Sequence, residues 1–273
     1  MNAIFVANKP TGISSNHFLS RLKRKYNVKK AGFSGTLDPF ASGCLVVAFG
    51  NHTRFFNYIN KTPKVYIATI WFGAKSESLD NENISEVRQT KMLNLAKIEE
   101  ILKELTGEIS YTPPKFSAKH INGTRAYKLA REGVEFELKK QIMKVHNAKI
   151  LSYMHPFLTI KLSVDEGSYI RSYAQILASK LGEIATLSAL HRLSEGEFKF
   201  QDERFLNPLE ILNLPRNEYL GDISDLMDGK KLNSANFKER ENKIYLISFD
   251  KFLSIIEIKD QTVEYRLNKA TLC

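Results

Sequence analysis

Residues 31–49 read Ala-Gly-Phe-Ser-Gly-Thr-Leu-Asp-Pro-Phe-Ala-Ser-Gly-Cys-Leu-Val-Val-Ala-Phe, a glycine-rich loop that runs straight into an apolar segment. The six side chains of residues 44–49 predict a buried strand. The loop before it holds Asp38 within Gly35-Thr36-Leu37-Asp38-Pro39. Taken alone, an Asp-Pro pair in such a loop is a turn former. It is also a way to hold a carboxylate on a tight loop against an anion-binding groove. There the group could attack or stabilise an electron-poor sugar carbon, as carboxylates do in glycoside chemistry. From these residues alone both readings stand.

Upstream, residues 4–7 form a short apolar run that reads as a strand, followed by the turn Lys9-Pro10-Thr11-Gly12. Ser14 or Ser15 is placed to cap a helix whose apolar stripe is Phe18, Leu19, Leu22 and Tyr26. The same helix is expected to carry on through Arg21, Lys23, Arg24, Lys25, Lys29 and Lys30, six basic residues with no acid among them. Such a run serves equally as a solvated helix face or as a phosphate contact.

Downstream, residues 64–72 are rich in β-branched and aromatic side chains and predict a strand. Leu95, Ile98, Leu102 and Leu105 recur at helical spacing, with Gly107 as the stop. Pro113-Pro114 opens a loop, and a short helix is expected from about Thr124 to a cap at Gly133. Residues 157–164 alternate as a strand, and Gly167-Ser168-Tyr169-Ile170-Arg171 enters a helix that ends before Gly182. From about residue 228 the texture changes to strand-like pieces near 243–249, 252–258 and 262–266. Strands and helices mix without regular βαβ alternation, which predicts an α+β fold: a largely antiparallel sheet flanked by helices and loops, with a small C-terminal β appendage.

The chain has 273 residues, 43% hydrophobic and 26% charged, enough to bury a core. Forty Lys+Arg against thirty Asp+Glu leave a net charge of +10, which favours a polyanionic partner. No apolar run is long enough to cross a bilayer, so no membrane partner is expected. The opening Met1-Asn2-Ala3-Ile4-Phe5 lacks the layout of a secretory signal, so a cytoplasmic location is expected. Two cysteines, Cys44 and Cys273, cannot build a disulfide framework or a cysteine-based zinc site. The histidines (His17, His52, His120, His146, His155 and His191) show no HxxxH pair, and no metal site is expected. Dinucleotide-binding, phosphate-loop and nucleophile-elbow motifs are missing, and no cofactor is expected.

Several further motifs occur in a fixed order. They are Lys9-Pro10-Thr11-Gly12-Ile13-Ser14-Ser15, the Asp38 loop, Thr53-Arg54, Lys64-Val65-Tyr66, Pro113-Pro114 with Ser117-Ala118, and Gly123 through Tyr127 with Ala130-Arg131-Glu132-Gly133. Gly167 to Arg171 and Leu190-His191-Arg192-Leu193 through Gly196 and Phe198 complete the series. In this order, over roughly residues 4–200, the chain resembles the bacterial tRNA pseudouridine-55 synthases of the TruB family.

The resemblance implies the pseudouridine synthase fold. It implies a catalytic domain over 1–227, an RNA-gripping loop at about 112–140, and a reduced RNA-binding (PUA-like) β domain over 228–273. It implies a cofactor-free isomerisation of uridine 55 in the TΨC arm, in which the base is flipped out and the N1–C1′ bond is exchanged for C5–C1′. Asp38 is then the essential carboxylate, adding to C1′ or removing a proton from C2′. Arg171 pairs with it, and Tyr66 stacks on the uracil and assists proton removal at C5. Tyr169 and Leu190 line the pocket, and Arg54 contacts phosphate. The stretch from Arg21 to Lys30 flanks the RNA arm. Phe33 stands where family members usually carry the histidine that wedges into the RNA. Ser76-Glu77-Ser78 replaces the usual Thr-Asp-Thr, and Lys119-His120 shifts the usual lysine. The expected partner is the tRNA T arm, with no obligatory protein partner or guide RNA, and the expected state is a monomer.

Two other functions compete. An N-glycoside hydrolase acting on RNA needs a second carboxylate to activate water, and Asp165-Glu166 is the suggestive pair. An RNA-binding module with a dead site needs no chemistry at all.

Overall fold

A computed structural model describes residues 1–272; Cys273 lies outside the described residues. The apolar run of the Asp38 segment becomes β3 (Ser42–Phe49), paired antiparallel with β1 (Ala3–Lys9) from Ala3 opposite Phe49 to Lys9 opposite Gly43. Helix α1 (Ser15–Lys25) joins them, and its N-cap Ser14 accepts the His17 N–H. The helix stops at Lys25, short of the full basic run, because the chain turns at Asn27 with a left-handed φ of 50°. Lys29 and Lys30 therefore lie on the approach to β2 (Ala31–Phe33), a short strand laid on β3.

In β4 (Lys64–Phe72) every second residue from Lys64 onward is buried, a strict two-residue period. The ribbon β5 (Ala74–Ser76) and β6 (Ile84–Val87) follows, then α2 (Leu95–Glu104), whose C-cap is Leu105. Gly107 opens β7 (Gly107–Tyr111), two residues beyond that cap. The loop after Pro113-Pro114 holds the minimal ribbon β8 (His120–Ile121) and β9 (Thr124–Arg125), then α3 (Ala126–Arg131). The expected helix thus starts two residues late, since Thr124 and Arg125 pair with β8. Then come β10 (Gln141–Met154), β11 (Phe157–Val164), α4 (Ile170–Lys180), β12 (Ala185–Glu195) and β13 (Phe198–Lys199).

These strands build one sheet in the order β1-β3-β12-β4-β11-β10-β7, with β2 on β3 and β13 on β12. Every pairing is antiparallel except β12 on β3, which meet in parallel through His191–Ser42 and Arg192–Gly43. Two of the strands carry no sequence signal. β12 is Ala-Thr-Leu-Ser-Ala-Leu-His-Arg-Leu-Ser-Glu, poor in β-branched residues and broken by bulges at Leu187/Ala189 and Arg192/Ser194, yet it lies in the middle of the sheet. β10 mixes apolar and polar residues and is bulged twice against β11, which scrambles its alternation.

One face carries Tyr66, Ala68, Ile70 and Phe72 of β4 against α2 and α4. Phe5, Leu45, Val47 and Phe49 pack against α1. Ile4, Val6, Cys44 and Val46 of β1 and β3 instead meet the C-terminal sheet, β14 (Ile244–Ser248), β15 (Phe252–Lys259) and β16 (Thr262–Thr271), through Leu246, Leu253, Ile255 and Leu267. Between β13 and that sheet lie α5 (Pro208–Ile211) and α6 (Ile223–Met227). Arg216 bridges to Leu246 and Tyr219 to Phe237, so the chain joins the C-terminal unit from 216 onward.

The parallel crossing of β3 and β12 depends on Gly43, whose φ is 107° and whose missing Cβ would stand 2.3 Å from the Arg192 carbonyl oxygen. Gly43→Ala is expected to cost about 3 kcal/mol or more, since the strained backbone and the main-chain clash add. Urea unfolding checks this: the midpoint should fall, and an unchanged midpoint would contradict the tight crossing.

Candidate active site

The Asp38 loop is held from beneath by the segment it follows in space. Ser15 Oγ donates to the Leu37 carbonyl and accepts the Leu37 N–H, both at 2.9 Å, and the Gly12 N–H donates to Pro39 O at 2.8 Å. Lys9, fully buried, donates from Nζ to Pro10 O, Ile13 O and Pro39 O at 2.8, 2.7 and 3.4 Å. Burial pulls the Lys9 ammonium down to about 8, against the upward pull of Asp38 and with a smaller downward push from Arg192. The motif Lys9-Pro10-Thr11-Gly12 through Ser15 thus straps the loop in place.

Asp38 sits on one wall of a cleft of about 240 Å³ that is also lined by Tyr66, Tyr169, Arg171 and Leu190. A third of its side chain (32%) is open to that cleft. Arg171, at the start of α4, is buried, and its Nη2 lies 2.9 Å from Asp38 Oδ2. The expected pairing of Arg171 with Asp38 forms through one nitrogen and one oxygen. The two terminal nitrogens also donate elsewhere, Nη2 to Phe116 O at 2.9 Å and Nη1 to Ser78 O at 2.6 Å, while Nε is buried without a partner. Behind it, Asp80 Oδ2 stands 3.5 Å from Nη1.

Asp80 is itself buried, and its Oδ1 accepts Ser78 Oγ and the Glu82 N–H. Sequence reading missed it, although the Ser76-Glu77-Ser78 motif that shapes its turn was in view: Ser76 Oγ and Ser78 Oγ touch at 2.9 Å. Burial pushes the Asp38 carboxyl above its ordinary value, and Asp80 adds to the rise, while Arg171 and Lys9 pull it back. Burial likewise raises the Tyr169 phenol, with Asp38 adding to the rise.

Under the loop runs a second set of buried charges. Arg192 donates from Nη2 to Gly35 O and from Nε to Cys44 O, each at 2.8 Å. Its guanidinium is also within hydrogen-bonding reach of the Tyr66 hydroxyl. Glu195 pairs with Arg192 at 3.2 Å and Lys64 at 3.5 Å and accepts Ser34 Oγ. Lys64 also reaches Glu166 at the cleft mouth at 3.3 Å. Glu195 is thus the buried anion shared by two buried cations, and the half-exposed Glu166 meets the rest of the Lys64 charge from the cleft mouth. Gly35 has room for no side chain, because a Cβ there would stand 2.5 Å from Lys64 Nζ.

The structure thus brings Asp38, Tyr66, Tyr169, Arg171 and Leu190 together. It does not bring Arg54 or Phe33 to the cleft. Arg54 is exposed on the 3₁₀ segment Gly50–Asn57, and Phe33 lies on β2 against the α1 cluster. Asp165 is also outside it, bonded to His146 Nε2 at 2.6 Å and Thr62 Oγ1 at 3.0 Å. Among the described residues no three His, Cys, Asp or Glu side chains converge, and no helix is long and apolar enough to cross a membrane.

Known proteins resemble this chain at two levels, in sequence and in fold. The family description "TruB family pseudouridylate synthase (N terminal domain)" matches residues 23–170. Proteins named tRNA pseudouridine synthase B from Campylobacter concisus (strain 13826) and Campylobacter curvus (strain 525.92) are each 62% identical over 273 residues, the whole of both chains. The same-named protein of Campylobacter jejuni (strain RM1221) is 52% identical over the same span. Among solved structures, a chain of a Cbf5-Nop10-Gar1 complex aligns with a TM-score of 0.68 at 19% identity, covering 99% of this chain and 84% of that one. A chain of an archaeal box H/ACA sRNP Nop10-Cbf5 complex aligns with a TM-score of 0.65, also at 19%, covering 99% and 85%. At such identity the likeness concerns the fold.

The upward displacement of Asp38 has a stability consequence. A carboxylate raised in the folded state is one whose ionised form the fold disfavours, so removing the charge relieves the native state above the unfolded carboxylate range. Asp38→Asn is therefore expected to leave Tm at neutral pH unchanged or higher. A Tm several degrees lower in a melting scan would contradict this account.

Proposed function

Since the chain belongs to the TruB family of pseudouridylate synthases, we propose that it converts uridine 55 in the T arm of tRNA to pseudouridine without a cofactor. It is an isomerase, and the relatives that match it end to end are named for tRNA as substrate. One observation carries the finer reading: the Asp38 carboxylate is presented to a narrow cleft beside a buried guanidinium, in a lining shared with Tyr66, Tyr169 and Leu190.

The reaction breaks N1–C1′, turns the uracil, and forms C5–C1′. The proton leaves C5 and one is regained at N1, so the product is an isomer and nothing external is consumed. The target base leaves its stack at a cost of a few kcal/mol, and the cleft closes around it. Asp38 acts at the ribose, as nucleophile at C1′ or as base at C2′; both routes need it ionised, and Arg171 and Lys9 favour that form. Tyr66 supplies the face on which the uracil stacks, with its hydroxyl steadied by Arg192. The 112–140 loop grips the RNA and is tied to the same machinery through Phe116 O and Arg171. Arg54 and Phe33 serve as contacts outside the pocket, and the C-terminal unit, which the chain joins from 216 onward, acts as a reduced PUA-like unit.

Hydrolytic loss of the base is disfavoured by the same geometry. Glu166 is the other carboxylate at the cleft, and its two oxygens are engaged by Lys64 at 3.3 Å and Lys61 at 3.8 Å, which competes with their use in activating a water. Free uracil in the reaction mixture would reinstate that reading.

Tritium release from C5-labelled uridine in unmodified tRNA tests the assignment. Asp38→Asn is expected to lower conversion at least about a thousandfold while tRNA binding stays near wild type, because phosphate contacts carry most of the affinity. Normal turnover by this variant would refute it. Arg171→Lys can replace only one of four contacts, and kcat should drop about a hundredfold, near 2.7 kcal/mol. The acid limb of kcat/KM should lie above the ordinary carboxylate range, because activity is lost as pH falls through a raised pKa. A limb at or below the ordinary aspartate value would argue against a buried ionised Asp38.

A further inference from the structure

Across the sheet from the catalytic cleft, on the opposite face of β4, lies a groove of about 620 Å³ lined by Val65, Leu193, Asn147, Ser163 and Ser194 and by three lysines, Lys149, Lys161 and Lys199. The two-residue period of β4 sets it there: Lys64 and Tyr66 point into the cleft, and Val65 between them points the other way. No acid lines the groove. Among the described residues the three ammonium groups have no ion pair or hydrogen bond.

Lys149 on β10 and Lys161 on β11 are moreover direct cross-strand partners in the sheet register. Like charges directly opposite each other destabilise a sheet. Elsewhere this chain does the reverse: the buried lysine and arginine beneath the Asp38 loop are both matched by carboxylates. A like-charge pair left unmatched, beside hydroxyls and an amide that can donate to oxygen, fits an anion from outside the protein. From β10 to β13 the groove crosses four strand spacings, about 19 Å, too long for a single small anion and suited to a chain of phosphates.

We propose that this groove is a second RNA-binding site, where Lys149, Lys161 and Lys199 hold backbone phosphates of the substrate tRNA outside the hairpin whose base enters the cleft. The proposal rests on the tRNA reading above. Contacts of this kind position the RNA and add affinity without touching the chemistry.

The triple variant Lys149→Gln/Lys161→Gln/Lys199→Gln tests it, with binding measured over a salt series for full-length unmodified tRNA and for an isolated T-arm hairpin. For tRNA, Kd should rise on the order of tenfold and the slope of log K against log salt should fall by about three. For the hairpin, Kd and the rate of pseudouridine formation should stay at wild-type values. A triple Lys→Arg variant should bind tRNA as the wild type does. A tRNA Kd within twofold of wild type overturns the proposal. So does an equal loss for both RNAs, which would mean a diffuse field in place of a contact. Failure of the wild type to form pseudouridine in either RNA would strike the proposed function instead, and the binding comparison would still read the groove.

Discussion

The guanidinium of Arg171 is the point on which the site converges. It leaves the first turn of α4, is buried, and touches three separate stretches of chain: the Asp38 loop, the turn that carries the Ser78 carbonyl and Asp80, and the Phe116 carbonyl. A buried cation is costly unless its charge is met, and here two carboxylates and two carbonyls meet its two terminal nitrogens, while Nε is left without a partner. Asp80 is wholly inside and fully hydrogen-bonded, so it serves as the permanent counterion. Asp38 keeps part of its surface in the cleft, so its interaction with Arg171 remains available for chemistry. The division of labour follows from burial, because the two carboxylates are otherwise the same group.

Beneath this hub the Arg192–Glu195–Lys64 set acts on the backbone. Arg192 holds the Gly35 and Cys44 carbonyls together and lies close to the Tyr66 hydroxyl, so the loop that carries Asp38 is referenced to one buried side chain beside the ring that faces it. Lys9 and Ser15 brace the same loop from the other side. Such preorganisation costs stability, as the raised Asp38 and lowered Lys9 values indicate, and the core of α2 and α4 against β4 offsets it.

Much of the fold was legible because its signals are local. β3 and β4 announce themselves by apolar content and by β-branched and aromatic residues, α1 by its cap and stripe, α4 by the segment Gly167 to Arg171 before it and Gly182 after it, and the three C-terminal strands by short apolar runs between charged turns. β12 was not legible: its alanines, serines and leucines are indifferent to strand geometry, and only its place between β3 and β4 makes it one. β10 was hidden by two bulges that break the period on which alternation depends. The stop of α1 at Lys25 turned on the left-handed Asn27, which no periodicity marks.

The site divides in the same way. Sequence alone settled which loop carries a distinctive carboxylate and which later segments accompany it, because residue types and their order are written in the chain. The partners that make that carboxylate unusual, Asp80, Lys9 and the Arg192–Glu195–Lys64 set, emerged only on folding. So did the positions of Phe33 and Arg54 away from the cleft. Residues 9, 38, 80, 171 and 192 are far apart in the chain and obey no shared spacing. Whether a charged side chain ends up buried, and beside what, is decided by packing, and packing is a property of the assembled sheet and helices.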